Sequence, residues 1–256
     1  MHDLRPVPLP ALADNYIWLL ADAGGAALVV DPGEAAPVHA ALARERLRLH
    51  AILLTHHHVD HTGGVADLVA ATGADVYAPH DDRIDHVTHR VDDGAHIRLV
   101  EPRLSFEVIA VPGHTTSHVS YYGHGLLFSG DTLFSVGCGR LFEGSPAQML
   151  ASLERLAALP DATLVCCGHE YTRANCAFAL QHEPGNAALV ARAAEAEALR
   201  ANGRPTLPVS LARERATNPF LRIDAPELKA ALGIADRVAR FAELRRRKDH
   251  FRMPAR

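Results

Sequence analysis

Residues 55–64 read THHHVDHTGG and follow directly on the apolar run Ala51-Ile52-Leu53-Leu54. A short apolar run broken by polar residues and a Gly pair reads as a buried strand handing its next side chains to a loop, with a helix opening near Thr62-Gly63-Gly64. Four histidines and an aspartate within six positions form a metal-ligand composition. In an extended stretch alternate residues point the same way, so His56, His58 and Asp60 would share one side while His57 and Val59 face the other. His61 falls where the chain turns into the helix, and its imidazole would reach the same neighbourhood from another direction. Four ligands are more than one tetrahedral ion usually draws from a single loop.

Three later strands end in a related way. Val108-Ile109-Ala110-Val111 leads to Pro112-Gly113-His114, Leu126-Leu127-Phe128-Ser129 to Gly130-Asp131, and Leu164-Val165-Cys166-Cys167 to Gly168-His169. Each time a glycine, which lets the backbone turn sharply, precedes a residue type that binds metals. The candidates are then His56, His58, Asp60, His61, His114, Asp131 and His169. Seven ligands fit two ions if one carboxylate is shared, because a carboxylate has two oxygens while an imidazole donates one lone pair. By count, Asp131 is the natural bridge. A pair of cations about 3.5–4 Å apart can hold a hydroxide and polarise a carbonyl or phosphoryl oxygen, so the expected chemistry is hydrolytic.

The rest of the chain bounds this reading. With 256 residues, 48% hydrophobic and 22% charged, it can bury about three quarters of its unfolded surface and needs no metal merely to fold. A net charge of −4 argues against a general nucleic-acid or membrane-surface binder. The opening MHDLRPVPLPALADNYIWLL has prolines where a signal peptide carries its apolar segment, and no apolar run is long enough to span a bilayer. We therefore expect a cytoplasmic protein. Its four cysteines (Cys138, Cys166, Cys167, Cys176) form no C-x-x-C, and the expectation is buried thiols.

Ile17–Leu20 and Ala26–Val30 flank the turn Asp22-Ala23-Gly24-Gly25 and read as a hairpin. Further strands are expected at 51–55, 75–78, 97–100, 104–111, 119–122, 126–129 and 163–167, with helices at 37–47, 62–72 and 146–158. The last of these opens with Ser145-Pro146, an N-cap followed by proline at the first helical position. Beyond about residue 172 strand signals fade. Helices are expected at 186–202, after a cap at Ser210, and at 236–248, where Val238, Phe241 and Leu244 fall near helical spacing with arginines between them. This divides the chain into a metal-binding catalytic domain, 1–171, and a helical domain, 172–256.

T-H-x-H-x-D-H with downstream Gly-His, Ser-Gly-Asp and Gly-His resembles the metallo-β-lactamase superfamily, an α/β fold built as a four-layer αββα sandwich with metals at one edge of its two sheets. Within it the chain looks like glyoxalase II, the hydroxyacylglutathione hydrolases. That likeness rests on Asp14-Asn15-Tyr16, GDTLFSVGCGRLFEG (130–144), CGHEYT (167–172), EPGN (183–186), NPFLR (218–222) and the ending RRRKDHFRMP. The resemblance implies that residues 172–256 are a small C-terminal α-helical, substrate-binding domain. It assigns His56, His58 and His114 to one ion and Asp60, His61 and His169 to the other, with Asp131 bridging, whereas spacing alone would have grouped Asp60 with His56 and His58. It implies two divalent ions per chain, zinc first, with iron or manganese also suited to these ligands. The implied substrate is a 2-hydroxyacyl thioester of glutathione, above all S-D-lactoylglutathione, cleaved to glutathione and D-lactate as the second step of methylglyoxal detoxification. Metal-bound water, its pKa lowered to about 7, would be the nucleophile, with Asp60 orienting it or accepting its proton. A thiolate with a thiol pKa of about 8.5 leaves without a general acid.

Glutathione carries two carboxylates, and Arg245 and Lys248, one helical turn apart, match the family's basic pair. Arg140 and Tyr171 match further substrate contacts. Phe142 departs from the pattern, since some family members have a tyrosine there, and a hydroxyl contact is missing. The remaining histidines, among them His57, His118 and His124, read as surface or satisfied core residues, and Arg246 and Arg247 as solvated. Rival readings are another metallo-β-lactamase-fold hydrolase, a mononuclear iron persulfide dioxygenase, a metallo-nuclease, or a protein that stores or senses zinc. The partner expected is a small-molecule glutathione thioester, with no nucleic acid, no membrane and a monomeric chain.

Overall fold

The hairpin read around Asp22 is real and sets the first sheet. In the computed structural model, which describes residues 4–253, strands β2 (Asn15–Ala21) and β3 (Ala26–Val30) pair antiparallel with Trp18 opposite Val30. The Asp22 carboxylate accepts from the Gly24 and Ala26 amides, and Gly25 takes a φ of 81°. Met1, His2 and Asp3, which open the stretch compared with a signal peptide, and Pro254, which closes RRRKDHFRMP, lie outside the described residues.

The described chain divides into two compact units. The first comprises the residues up to Ala110, Ser117–Gly130 and Cys166–His169. After β1 (Val7–Ala11), β2 and β3 it runs through α1 (Ala36–Glu45), β4 (Arg48–Leu53), α2 (Val59–Thr62), α3 (Val65–Thr72), β5 (Asp75–Pro79) and β6 (His89–Val91). These strands form one sheet in the order β1-β2-β3-β4-β5-β6, antiparallel through β3 and parallel beyond it. Alternation along the strands sorts the two faces. Ile17, Leu19, Ala27, Val29, Ile52 and Leu54 pack with Val38, Ala41 and Leu42 of α1 and Val65 and Leu68 of α3. The buried residues between them, Trp18, Leu20 and Leu28, point the other way.

On that side lies the second sheet. Strands β7 (His96–Arg98), β8 (Ser105–Ala110), β9 (Val119–Gly123) and β10 (Leu126–Gly130) pair as an antiparallel meander. The Tyr121 hydroxyl of β9 donates to the Leu54 carbonyl at 2.8 Å, and the Trp18 indole to the Cys167 carbonyl at 2.9 Å, tying sheet to sheet in the buried middle.

The second unit comprises Val111–Thr116, Asp131–Val165 and the chain from Glu170 onward. It holds β11 (Leu133–Phe134), β12 (Gly137–Cys138), α4 (Pro146–Ala157), the start of β13 (Leu164–Cys167), α5 (Thr172–Ala179), α6 (Ala187–Ala201), β14 (Val209–Ser210), α7 (Leu211–Thr217), α8 (Pro226–Leu232) and α9 (Arg237–His250). Ser145 caps α4 in a full capping box with Gln148, as its Ser-Pro start suggested. Asn186, Ser210 and Asp236 cap α6, α7 and α9 through their side chains. Two arginines of α9 are buried. Arg240 and Arg245 are 2% and 6% exposed, because each guanidinium finds backbone carbonyls and a carboxylate that replace water. All four cysteines are buried thiols. Among the described residues no helix is long and apolar enough to cross a membrane.

Candidate metal centre

The stretch that opened the reading leaves β4 and turns at once. Asp60 does not continue the extended alternation, because residues 59–62 coil into the single turn α2 with His58 at its N-cap. Grouping Asp60 with His56 and His58 by strand spacing is therefore wrong. Asp60 Oδ2 stands 3.4 Å from His61 Nε2 and 3.5 Å from His169 Nε2, while His56 Nε2 lies 3.1 Å from His58 Nδ1. His169 arrives because the start of β2 and the end of β13 run side by side, with the Tyr16 amide on the Gly168 carbonyl.

The far nitrogens of these rings are tied down. His61 Nδ1 is 3.1 Å from Asp31 Oδ2, and His169 Nδ1 is 2.8 Å from Asp14 Oδ1. An Nδ1–H given to a carboxylate fixes the tautomer that leaves the Nε2 lone pair free for a cation and makes it more basic. Asp31 is itself buried, and it also accepts from the Thr55 amide and hydroxyl at 2.7 Å each. Asn15 Nδ2 donates to Asp60 Oδ2 at 3.0 Å and to the Asp60 carbonyl at 3.1 Å, which turns the carboxylate toward the imidazoles. His57 points away, as the alternation requires, and meets the buried Asp81 at 3.4 Å. Arg83 and Ser117 donate to Asp81 and hold its carboxyl far below the usual range.

The second unit presents a matching pair. His114 Nε2 stands 3.4 Å from Asp131 Oδ2, and His114 Nδ1 donates to the Arg140 carbonyl at 2.8 Å. The glycines before them have distinct reasons. Gly130 takes a φ of 48°, and a Cβ there would come within 2.4 Å of the Thr55 hydroxyl, whereas at Gly113 the backbone lies so close to Met149 that a Cβ would meet it at 2.9 Å.

These residues fit a divalent cation. Two ligand atoms on one tetrahedral ion with bonds of 2.0–2.1 Å stand roughly 3.3–3.4 Å apart. The three imidazole–carboxylate separations, 3.4, 3.5 and 3.4 Å, match that edge. Asp60, His61 and His169, and separately Asp31, His56 and His61, bring one donor atom each within 4.8 Å of one another. With Nδ1 of His61 committed to it, Asp31 serves as the partner behind the ring.

Two of the substrate candidates, Arg245 and Arg140, meet on one carboxylate, Asp249, for which the sequence carries no signal. Asp249 Oδ1 is 2.9 Å from Arg245 Nη2 and 3.3 Å from Arg140 Nε. Arg245 also donates to the Cys138 carbonyl at 2.7 Å and lies over the Phe220 ring at 5.3 Å. Lys248 sits over Phe178 and Phe251, and burial followed by the Arg245 charge lowers its pKa to about 8. Tyr171 stands edge-on to Phe134, and Phe142, 61% exposed, meets the His114 ring at 5.2 Å.

Comparison with known proteins places these observations. Residues 13–169 match the family model of the metallo-beta-lactamase superfamily, and residues 170–251 that of the hydroxyacylglutathione hydrolase C-terminus. A hydroxyacylglutathione hydrolase of Xanthomonas euvesicatoria is 54% identical over 97% of this chain and 100% of its own length. One of Methylobacillus flagellatus is 53% identical over 96% and 98%. Among solved structures, BLEG-1 B3 metallo-beta-lactamase superposes with a TM-score of 0.65 at 25% identity over 86% of this chain and 99% of that one. TTHA1623 in a di-iron-bound form gives 0.61 at 28% over 85% and 100%. The fold is thus the expected α/β sandwich with a small helical C-terminal domain.

Proposed function

Because the chain belongs to the metallo-β-lactamase superfamily and, within it, to the hydroxyacylglutathione hydrolases, we propose that it hydrolyses S-(2-hydroxyacyl)glutathione, S-D-lactoylglutathione first among them, to glutathione and the 2-hydroxy acid. It is an enzyme with a metal site, and the catalytic division of labour follows 1–171 and 172–256. The observation that carries the reading is the set of imidazole–carboxylate pairs at 3.4–3.5 Å, each ring anchored from behind.

We assign His56, His58 and His114 to one divalent ion, Asp60, His61 and His169 to a second, and Asp131 to both, with zinc the first choice of metal. When bound, such a pair supplies Lewis acidity toward the thioester carbonyl and makes water available as hydroxide at neutral pH. Around it the protein's residues do the rest. Asp60, steered by Asn15, orients the attacking water and takes up its proton. Arg245, Arg140 and Lys248 draw in the glutathione carboxylates, Tyr171 and Phe142 bound the thioester, and the thiolate departs without an acid, as its low proton affinity allows. The enzyme acts in the cytoplasm as a monomer on this small molecule, without nucleic acid or membrane.

Elemental analysis alongside turnover of S-D-lactoylglutathione tests the proposal. Two ions per chain and rapid cleavage are expected, and Asp131→Ala should lose both. One iron with oxygen consumption on glutathione persulfide would instead make the chain a dioxygenase.

A further inference from the structure

Within the second unit, one backbone feature has no role in the reaction as described. Val136 lies in the two-residue turn between β11 and β12 with a φ of 58°, and it is fully buried. A β-branched residue avoids this region, which hairpin turns normally give to glycine or asparagine. Something must hold it there.

The holder is Glu214 of α7, itself 0% exposed. Its Oε2 accepts from the Val136 amide at 2.7 Å and its Oε1 from the Ser135 hydroxyl at 2.9 Å. Around this pair the helices close in. Asn218 Nδ2 donates to the Phe134 carbonyl, the Gly137 carbonyl and Glu214 Oε2 at 3.1, 2.9 and 3.0 Å. Asn175 Nδ2 of α5 donates to the Ser135 carbonyl at 3.0 Å, and the buried Arg192 of α6 reaches the Ser135 hydroxyl at 3.1 Å.

The turn joins two strands that end in the site. β11 follows Asp131 by two residues, and the pairing runs Phe134 to Gly137 and Leu133 to Cys138, extended by the Gly139 amide on the Thr132 carbonyl. The returning strand supplies the Cys138 carbonyl that anchors Arg245 and, two residues on, the Arg140 carbonyl that orients His114. A shift in the turn would move a carboxylate ligand, the tautomer-fixing acceptor of an imidazole ligand and the anchor of a substrate cation together.

We propose that Glu214 is a positioning residue: by clamping the left-handed Val136 turn it sets the β11–β12 hairpin and, through it, Asp131, His114 and Arg245. This rests on the metal-centre reading above. The Glu214 carboxylate is hydrogen-bonded to Ser135, Val136 and Asn218, none of them an assigned ligand, so it acts through the turn.

The test is a Zn2+ titration against a chromogenic chelator, with KM and kcat read on the same preparations. Wild type is expected to take up two ions. Glu214→Gln keeps the size of the side chain but puts a donor where an acceptor is needed, and should weaken zinc binding by about 10-fold or more, the effect usual for a partner behind a ligand, with KM rising as well. Adding Val136→Gly should return most of the zinc affinity, since glycine adopts a φ of 58° without strain. A purely global loss of stability would not be repaired by a glycine. Ser135→Ala, a milder change, should weaken zinc binding in the same direction even if Glu214→Gln does not fold. Wild-type affinity in both Glu214→Gln and Ser135→Ala overturns the proposal, as does a loss that Val136→Gly leaves untouched. Wild-type protein that takes up no zinc would sink the metal-centre reading itself, an outcome distinct from either.

Discussion

Replacing Arg245 by alanine should separate substrate binding from chemistry. The guanidinium is 6% exposed, donates to the Cys138 carbonyl at 2.7 Å, pairs with Asp249 at 2.9 Å and lies over Phe220. It is therefore held in place before substrate arrives, and little ordering remains to be done on binding. A substrate carboxylate that joins it gains a charge-assisted hydrogen bond worth about 1.5–3 kcal/mol. At 1.4 kcal/mol per factor of ten, KM for S-D-lactoylglutathione should rise about 10- to 100-fold in Arg245→Ala. The turnover number should stay within about threefold, because an interaction equally strong in ground and transition states does not change it. The variant also forfeits contacts within the fold, so initial rates are to be measured on protein whose melting transition lies well above the assay temperature. Metal content should match wild type, since Arg245 belongs to no donor group. Arg245→Lys, which keeps the charge but loses the fork, should fall between the two. An unchanged KM in Arg245→Ala would refute the assignment, and so would a fall in kcat and metal content at constant KM.

Three further outcomes follow from the geometry. The Lys248 pKa, lowered to about 8 from 10.5, means that the folded protein loses this proton between those values while the unfolded chain still keeps it. Substrate affinity should drop as pH rises through about 8 while stability rises over the window from 8 to 10.5, and Lys248→Arg should abolish the affinity step in a KM–pH profile. Asn15→Ala removes the two hydrogen bonds that aim Asp60; chelator competition should show metal affinity weakened about 10- to 100-fold. Phe142→Tyr adds a hydroxyl to an exposed ring beside His114; a neutral hydrogen bond of about 0.5–1.5 kcal/mol would lower KM by roughly 2- to 10-fold.

What could be read in the sequence, and what could not, divides along physical lines. The Asp22 hairpin, the capped start of α4 and the strands that end in glycine and a ligand type are written in local signals: turn chemistry, capping and apolar runs. Strands β11, β12 and β14 have two residues each and β6 has three, too short for any periodicity to register. The turn of α2 overrode the alternation that had placed Asp60 with the wrong histidines, because a four-residue helix leaves no pattern of its own. The partners behind the imidazoles were invisible for another reason. Asp31 stands 30 residues from His61 and Asp14 155 from His169, so only the sheets bring them together. The burial of Arg240 and Arg245 was not legible either, since sequence cannot show the carbonyls that take the place of water.

The two-ion site is tested most directly by the stoichiometry of activation: protein stripped of metal is titrated with Zn2+ while cleavage of S-D-lactoylglutathione is followed. Activity should rise to a plateau at two ions per chain. Full activity with one ion, or thioester cleavage that persists in the stripped protein, would contradict it.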